Sequence, residues 1–227
     1  MDRTALGDEA LSRAEQATPP ALDPYEQLKE AIYLGDLTPG QHLVETTLAQ
    51  SFKVSRTPIR EALTRLEQDG LLVRTRMGLT VRERSPGEIL DIYEVRILLE
   101  GAAGRTAAER RNNNDVFELR QAHRRYLAAG DKDARARVAA NRHFHEVVWR
   151  AAHQPALADL LHRIELQLGR FPVTTLSYPG RWETSIEQHE ALVAAIQDRD
   201  GDRAAEVATK HFTEAREIRL AIWENEV

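Results

Sequence analysis

The residues best suited to chemistry in this sequence are its histidines. Eight are present, and the run Asn-Arg-His-Phe-His places Asn141 and His145 four residues apart, a spacing that puts two side chains on one face of a helix. His189 and His211 each lie within a further amphipathic stretch. Three imidazoles from three helices could converge inside a helical bundle, with the side-chain oxygen of Asn141 as a fourth contact, and such a set is able to hold a divalent metal. Zinc, nickel and manganese are all compatible with these ligands.

The same histidines allow other interpretations. They could be partly buried, hydrogen-bonded side chains, or they could hold a metal that only closes the bundle. They could also hold a catalytic zinc, which needs three protein ligands and an open position. Against a hydrolase, Trp149 stands where the HExxH pattern requires its second histidine, and Glu146 points away from the face that carries Asn141 and His145. The sequence therefore favours a protein that is not an enzyme.

A second group of informative residues is the run SRTPIREAL at positions 55–63. Ser55 is a natural helix N-cap, and a buried stripe is expected at Ile59, Ala62, Leu63 and Leu66. The opposite face and the exposed N-terminal end then carry Arg56, Thr57, Arg60 and Thr64. Arginine can bond guanine through two parallel hydrogen bonds or clamp a phosphate, and the N-terminal end of such a helix enters the major groove of DNA. The alternative is a capped helix with a solvated charged face.

The segments around this helix favour DNA binding. A short helix over about residues 45–52 precedes it, and Gly70 ends it. Two short strands, at 71–73 and 79–81, then follow as a hairpin. The hairpin carries Arg74, Arg76 and Gly78. Helices followed by a basic hairpin make a winged helix-turn-helix, in which these arginines reach the DNA backbone or minor groove and the glycine permits close approach.

The rest of the chain is predicted to be helical. Amphipathic stretches cover about residues 86–110, 115–129, 131–152, 155–171, 184–198 and 200–224. The fold class is therefore mainly α, with an N-terminal winged helix-turn-helix and a C-terminal all-α antiparallel bundle of about six helices. We assign residues 1–20 to a mobile tail, 21–84 to the DNA-binding domain and 85–227 to the bundle, which would bind metal and effector and mediate dimerisation.

Composition limits the alternatives. The chain has 227 residues, no cysteine and a formal net charge of −5, so thiolate metal sites and cysteine nucleophiles are excluded. From residue 51 to residue 84, however, eight basic residues oppose four acidic ones. This segment carries +4, and the remainder carries −9. A local basic patch still attracts phosphate, because salt screens each field within about 10 Å. With no apolar run long enough for a bilayer, we expect a cytoplasmic protein with no membrane partner.

The segment from Gly35 to Val81 resembles the DNA-binding domain of the GntR family of bacterial transcription regulators. The resemblance rests on the run LTPGQHLVETTLAQSFKVSRTPIREALTRLEQDGLL. It implies that operator DNA is contacted by Ser55, Arg56, Thr57 and Arg60. Gly78 matches the glycine at the tip of the wing. Thr46 departs from the pattern, because relatives often carry arginine there.

The remainder resembles the FCD effector domain, which accompanies this DNA-binding domain in the FadR subfamily. The matching features are EVRILLE at 94–100, the NRHFH run, and an Arg-Asp pair separated by ten residues from His211. The resemblance implies a divalent metal bound by Asn141, His145, His189 and His211. Asn141 is neutral where many relatives carry aspartate, so an anion is expected in the open coordination positions.

The same resemblance implies a small organic acid as effector, with Arg96 as an anchor for its carboxylate. The alternative for Arg96 is a surface ion pair with Glu100 at helical spacing. We therefore expect a homodimeric regulator, a repressor, that binds double-stranded operator DNA in the bacterial nucleoid and responds to a carboxylate held at a metal site.

Overall fold

The computed structural model describes residues 23–130, 132–168 and 174–226. The tail predicted at residues 1–20 lies outside these ranges. The N-terminal elements are α1 (Pro24–Tyr33), α2 (Glu45–Phe52), α3 (Arg56–Gln68), β1 (Leu72–Thr75) and β2 (Gly78–Val81). The C-terminal helices are α4 (Pro86–Arg110), α5 (Asn113–Leu127), α6 (Ala134–Ala151), α7 (Pro155–Leu168), α8 (Arg181–Gln197) and α9 (Gly201–Glu226), with a 3-10 turn at Thr175–Ser177.

The N-terminal part has its own hydrophobic core. The predicted stripe of α3 is fully buried in it, against α1 and the hairpin. Helix α2 ends because Lys53 adopts a left-handed conformation, with φ of 54°. Gly70, with φ of 69°, turns the chain after α3. The last turn of α2 and the first turn of α3 are therefore separated by a short tight turn, as a helix-turn-helix requires.

One local prediction is confirmed in position, and a second is shifted by one or two residues. Ser55 occupies the N-cap position of α3, but its side chain accepts no capping hydrogen bond from the helix. The first strand was predicted at 71–73 and is found at Leu72–Thr75, since Arg74 and Thr75 pair with Leu79 and Gly78. Arg74 thus belongs to the strand, and the turn of the wing is shorter than expected.

The C-terminal part is a bundle of six helices within the described ranges. Ser85 and Glu88 form a reciprocal capping box that starts α4. Helix α4 packs most extensively on α9, and the close contact requires small residues. A Cβ atom at Gly104 would lie 2.8 Å from the carbonyl oxygen of Ala204. The predicted fold class, a winged helix-turn-helix followed by an all-α bundle, is confirmed.

Several helix bounds shift by a few residues from the predicted ones. Helix α5 begins at Asn113 because Asn112 and Asp115 form a second capping box. Helix α8 begins at Arg181, directly after Gly180 with its φ of 76°. Across the described residues, none of the helices has the length and apolar character needed to cross a membrane.

Candidate metal and ligand site, and nucleic-acid interface

Three of the predicted metal ligands lie together in the middle of the bundle. His145 comes from α6, His189 from α8 and His211 from α9, and their exposed fractions are 1%, 1% and 5%. The ring centroids are 5.0 Å, 5.1 Å and 4.9 Å apart, which makes a nearly equilateral triangle. One ligand nitrogen from each ring lies within 4.8 Å of the others. His143 lies elsewhere, beside Arg125.

The orientation of two of these rings is fixed by their neighbours. Phe144 stacks on His189 at a centroid distance of 4.0 Å and an interplanar angle of 14°. The Nδ1 atom of His211 lies 2.9 Å from the side-chain oxygen of Gln188. Because that oxygen can only accept, Nδ1 of His211 carries the proton, and Nε2 keeps its lone pair.

Unpaired buried atoms show that the cluster fits a cation. The Oδ1 atom of Asn141, Nε2 of His145 and both ring nitrogens of His189 are buried without a hydrogen-bond partner among the described residues. Burial lowers the pKa of all three histidines well below its ordinary value, and neighbouring arginines lower it further. The imidazoles are therefore neutral and offer lone pairs. Leaving such atoms unsatisfied is costly, and a divalent metal would satisfy the oxygen of Asn141, Nε2 of His145 and one ring nitrogen of His189.

A cavity of about 310 Å³ adjoins the histidine cluster. Its wall includes Asn141 and His211 from the cluster, and Tyr33 and Leu34 from the end of α1. The charged side chains in the wall are Arg96, Arg135, Glu165, Arg181 and Arg219. The cavity is thus bounded by both parts of the protein and is rich in guanidinium groups, which favour an anionic ligand.

Arg96 is buried in this wall. The alternative of an ion pair with Glu100 is correct for the partner, but the pair is buried and does not lie at the surface. The exposed fraction of Arg96 is 7%, and its Nε atom lies 3.1 Å from the carboxylate of Glu100, which is itself buried. The indole nitrogen of Trp149 donates to the same carboxylate at 2.8 Å. The guanidinium also lies over the Phe212 ring, 4.3 Å from its centroid. Arg96 is therefore held rigidly, with one side towards the cavity.

Arg181 is a residue of the site that sequence reasoning missed. Its side chain is buried and donates to Gln188 and Glu214, both at 3.0 Å, and to the backbone carbonyl of His211 at 2.9 Å. It stands at the first position of α8, next to a Pro-Gly turn, which is a usual place for a surface arginine. Nothing local in the sequence shows that α9 packs over it.

A second group of side chains that could ligate a metal lies close by, but an arginine side chain already contacts its carboxylates. Ligand atoms of Glu146, His162 and Glu165 lie within 4.8 Å of one another. Arg142, however, is placed between the carboxylates, 3.0 Å from Glu146 and 3.6 Å from Glu165. Its guanidinium already lies against both carboxylates, so we do not assign a metal there.

The predicted DNA-reading helix exposes its arginines. The side chains of Arg56 and Arg60 are 60% and 61% exposed, and both contact the carboxylate of Glu45 on α2, at 3.3 Å and 3.1 Å. Thr57 and Ser55 are exposed at the same end. Thr64 is exposed as well, with its hydroxyl donating to the carbonyl of Arg60 at 2.9 Å. Glu45 was not predicted, because its partners lie 11 and 15 residues further along the chain.

The wing carries its predicted basic residues. Arg74 is 67% exposed and pairs with Glu67 at 3.0 Å, and Arg76 is exposed at the turn. Gly78 adopts φ of 115°, and a Cβ atom there would lie 2.6 Å from Cε1 of His42. The close approach expected of Gly78 therefore occurs within the protein, to His42.

This architecture defines a class of protein, the transcription regulators that bind DNA through a winged helix-turn-helix, and not an enzyme. Residues 21–81 match the family described as bacterial regulatory proteins, gntR family, and residues 91–214 match the FCD domain. The chain belongs to the GntR family and carries an FCD domain.

Curated relatives and solved structures agree with this membership. The chain is 31% identical to the uncharacterized HTH-type transcriptional regulator YdhC of Bacillus subtilis, over 88% of this chain and 91% of the relative. It is 30% identical to the galactonate operon transcriptional repressor of Escherichia coli, over 80% of this chain and 88% of that one. It also superimposes on E. coli McbR/YncC with a TM-score of 0.78 and 25% identity, covering 89% of this chain and 98% of that chain.

Proposed function

We propose that this regulator binds a small organic acid beside a divalent metal held by Asn141, His145, His189 and His211, and that the acid changes its affinity for operator DNA. The observation that carries the proposal is the group of unpaired, buried ligand atoms of Asn141, His145 and His189, which lies beside His211. It stands next to a cavity lined by guanidinium groups. When bound, a metal would supply a positive charge and open coordination positions for a carboxylate.

The charge around the ligand site supports an anion. Three neutral imidazoles and an amide leave a divalent cation uncompensated. Arg181 lies 3.4 Å from Nε2 of His211, which places a second positive charge beside the cluster. Arg96 is on the cavity wall, with Glu100 already satisfying one side of it. A carboxylate entering here would meet hydrogen-bond donors from the protein without displacing an ion pair completely.

Contacts between the two parts of the chain support a coupling of this cavity to DNA binding. Tyr33, the last residue of α1, and Leu34, which follows it, belong to the DNA-binding part and form part of the cavity wall. Arg142, which follows the ligand Asn141, lies over the Tyr33 ring at 4.6 Å and contacts Glu30 at 3.2 Å. Arg135 pairs with Asp36 at 2.6 Å. A ligand in the cavity would touch groups whose positions depend on how the winged domain is placed.

On the DNA side, we propose contacts from Ser55, Arg56, Thr57, Arg60 and Thr64 in the major groove and from Arg74, Arg76 and Gly78 in the wing. The guanidinium groups of α3 are exposed and share the carboxylate of Glu45 as an ion-pair partner, a surface contact weak enough to be exchanged for DNA. We further propose a homodimer that acts in the cytoplasm as a repressor. Its two recognition helices would match half-sites spaced by the DNA helix, and a ligand would disturb that spacing.

The proposal is tested on full-length protein with an operator fragment obtained by in vitro selection. Zinc-loaded protein is titrated with a panel of sugar acids and short hydroxy, keto and plain carboxylic acids, and operator release is followed by fluorescence anisotropy. We expect at least one acid to lower operator affinity in the zinc-loaded protein and to lose that effect after chelation.

The matched control is His143→Ala, which removes a histidine outside the cluster, compared with His145→Ala, which removes one inside it. Only the second variant should lose the ligand response. If chelation destabilises the protein while no acid affects either stability or operator affinity, the metal is structural and the sensor proposal is wrong.

A further inference from the structure

One cavity-lining residue, Glu165 of α7, is acidic, whereas the other charged residues of the wall are basic. It is the acidic member among the cavity-lining residues described, beside four arginines. Its side chain is 6% exposed. Arginine only donates hydrogen bonds, whereas an ionised carboxylate only accepts them. The cavity therefore presents many donors and, at one point, a strong acceptor.

The carboxylate of Glu165 retains hydrogen-bonding capacity. Its closest cations are Nε of Arg142 at 3.6 Å and Nη2 of Arg96 at 3.9 Å. Both distances exceed the 2.7–3.2 Å of a normal N–H···O hydrogen bond. Within the described ranges, its other polar neighbours are the phenol of Tyr33, the carboxylate of Glu146 and the imidazole of His162. A buried carboxylate without a donor is costly, so a ligand that brings a donor would gain from this residue.

The arginines near Glu165 do not turn towards it because each has a nearer carboxylate. Arg96 bonds Glu100 at 3.1 Å, and Arg142 bonds Glu146 at 3.0 Å and Glu30 at 3.2 Å. Glu165 is thus not needed to neutralise either guanidinium. Its place in the wall is better explained by recognition of a ligand than by an ion pair.

From this arrangement we infer that Glu165 selects the chemical class of the effector, a hydroxy acid whose carboxylate is bound by the metal and arginines and whose hydroxyl donates to Glu165. The inference rests on the proposed function and refines it. An ammonium could also donate to Glu165, but four guanidinium groups around the cavity repel a cation. A hydroxyl provides the donor without that penalty.

The test compares matched acids on zinc-loaded full-length protein by isothermal titration calorimetry at about pH 8. One set is 2-hydroxybutyrate, butyrate and 2-aminobutyrate, and two further pairs are malate with succinate and gluconate with hexanoate. In at least one set we expect the hydroxy acid to bind about ten- to hundredfold more tightly than its plain counterpart, as a hydrogen bond to a charged acceptor allows.

Variants assign that preference to Glu165. Glu165→Met, of similar length but without oxygen, should bring the ratio of the two affinities close to one. Glu165→Gln keeps an acceptor without its charge and should give an intermediate ratio. Glu146→Gln is the matched control, because Glu146 also contacts Arg142 but does not line the cavity. It should retain the full ratio.

The outcomes separate the inference from the function on which it rests. If plain acids bind as tightly as hydroxy acids in every set, or if Glu165→Met keeps the preference, the inference is wrong while the carboxylate sensor stands. Tighter binding of 2-aminobutyrate would also overturn it, in favour of an ammonium ligand. If no acid of the panel binds, the proposed function itself fails.

Discussion

The stability of the ligand-free protein should depend on pH through Glu165, and the substitution Glu165→Gln isolates this dependence. Burial raises the pKa of the Glu165 carboxyl to about 7, and the opposing charges of Arg96 and Arg142 offset only part of that effect. In the unfolded chain the carboxyl should titrate near its ordinary value of about 4.3. Between these two values the folded state binds a proton that the unfolded state does not.

The sign of the effect follows from that proton. Because the folded protein holds the proton more tightly, this residue stabilises the fold at low pH, and that stabilisation is lost as pH rises from about 4.5 to about 7. A shift of about 2.5 pH units corresponds to about 3 kcal/mol. Most of this stabilisation, about 2 to 3 kcal/mol, should appear when the pH is lowered from 8 to 5. Glutamine does not titrate, so the variant lacks this component.

The assay is urea denaturation of both proteins in chelator at about pH 5 and about pH 8. We expect the free energy of unfolding of the wild type, relative to the variant, to rise by about 2 to 3 kcal/mol from the higher pH to the lower. Glu61→Gln, which changes an exposed glutamate of α3, serves as the control and should show no such difference. An equal pH response of wild type and Glu165→Gln would refute the reasoning from burial.

Three further predictions concern DNA, metal and the wing. Arg60→Ala should weaken binding to a selected operator about ten- to hundredfold with an unchanged circular dichroism spectrum, whereas retained affinity would remove Arg60 from the interface. His189→Phe should abolish zinc binding. In thermal melting, zinc at about 100 times its dissociation constant should stabilise the wild type by about 2.7 kcal/mol, whereas it should not stabilise the variant. Gly78→Ala should lower the free energy of unfolding in urea by about 1–2 kcal/mol, because the added Cβ meets His42. Adding His42→Ala to this variant should recover part of the loss. If the effects of the two substitutions simply add, the clash with His42 is not the cause.

Much of the fold follows from local patterns in the sequence. The stripe of α3 repeats at helical spacing, and Ser85 with Glu88 marks the start of α4, so these elements form largely from interactions between near neighbours. The spacing of Asn141 and His145 likewise sets one face of one helix. Such features depend on the period of the α-helix and on capping chemistry, which a sequence displays directly. They were sufficient to predict the fold class, whereas the family was predicted from the resemblance of longer sequence runs to known domains.

The composition of the cavity depends on tertiary structure. Arg96 was predicted as an anchor or a surface pair, and its burial follows from the packing of α4 against α9. Arg181 and Glu165 gave no signal, because a lone arginine after a turn and a lone glutamate in a helix usually face solvent. Glu45 and the arginines of α3 meet only because two helices cross. Helical period determines which residues share a face, but it does not determine which faces meet, and that decides which charges are buried together.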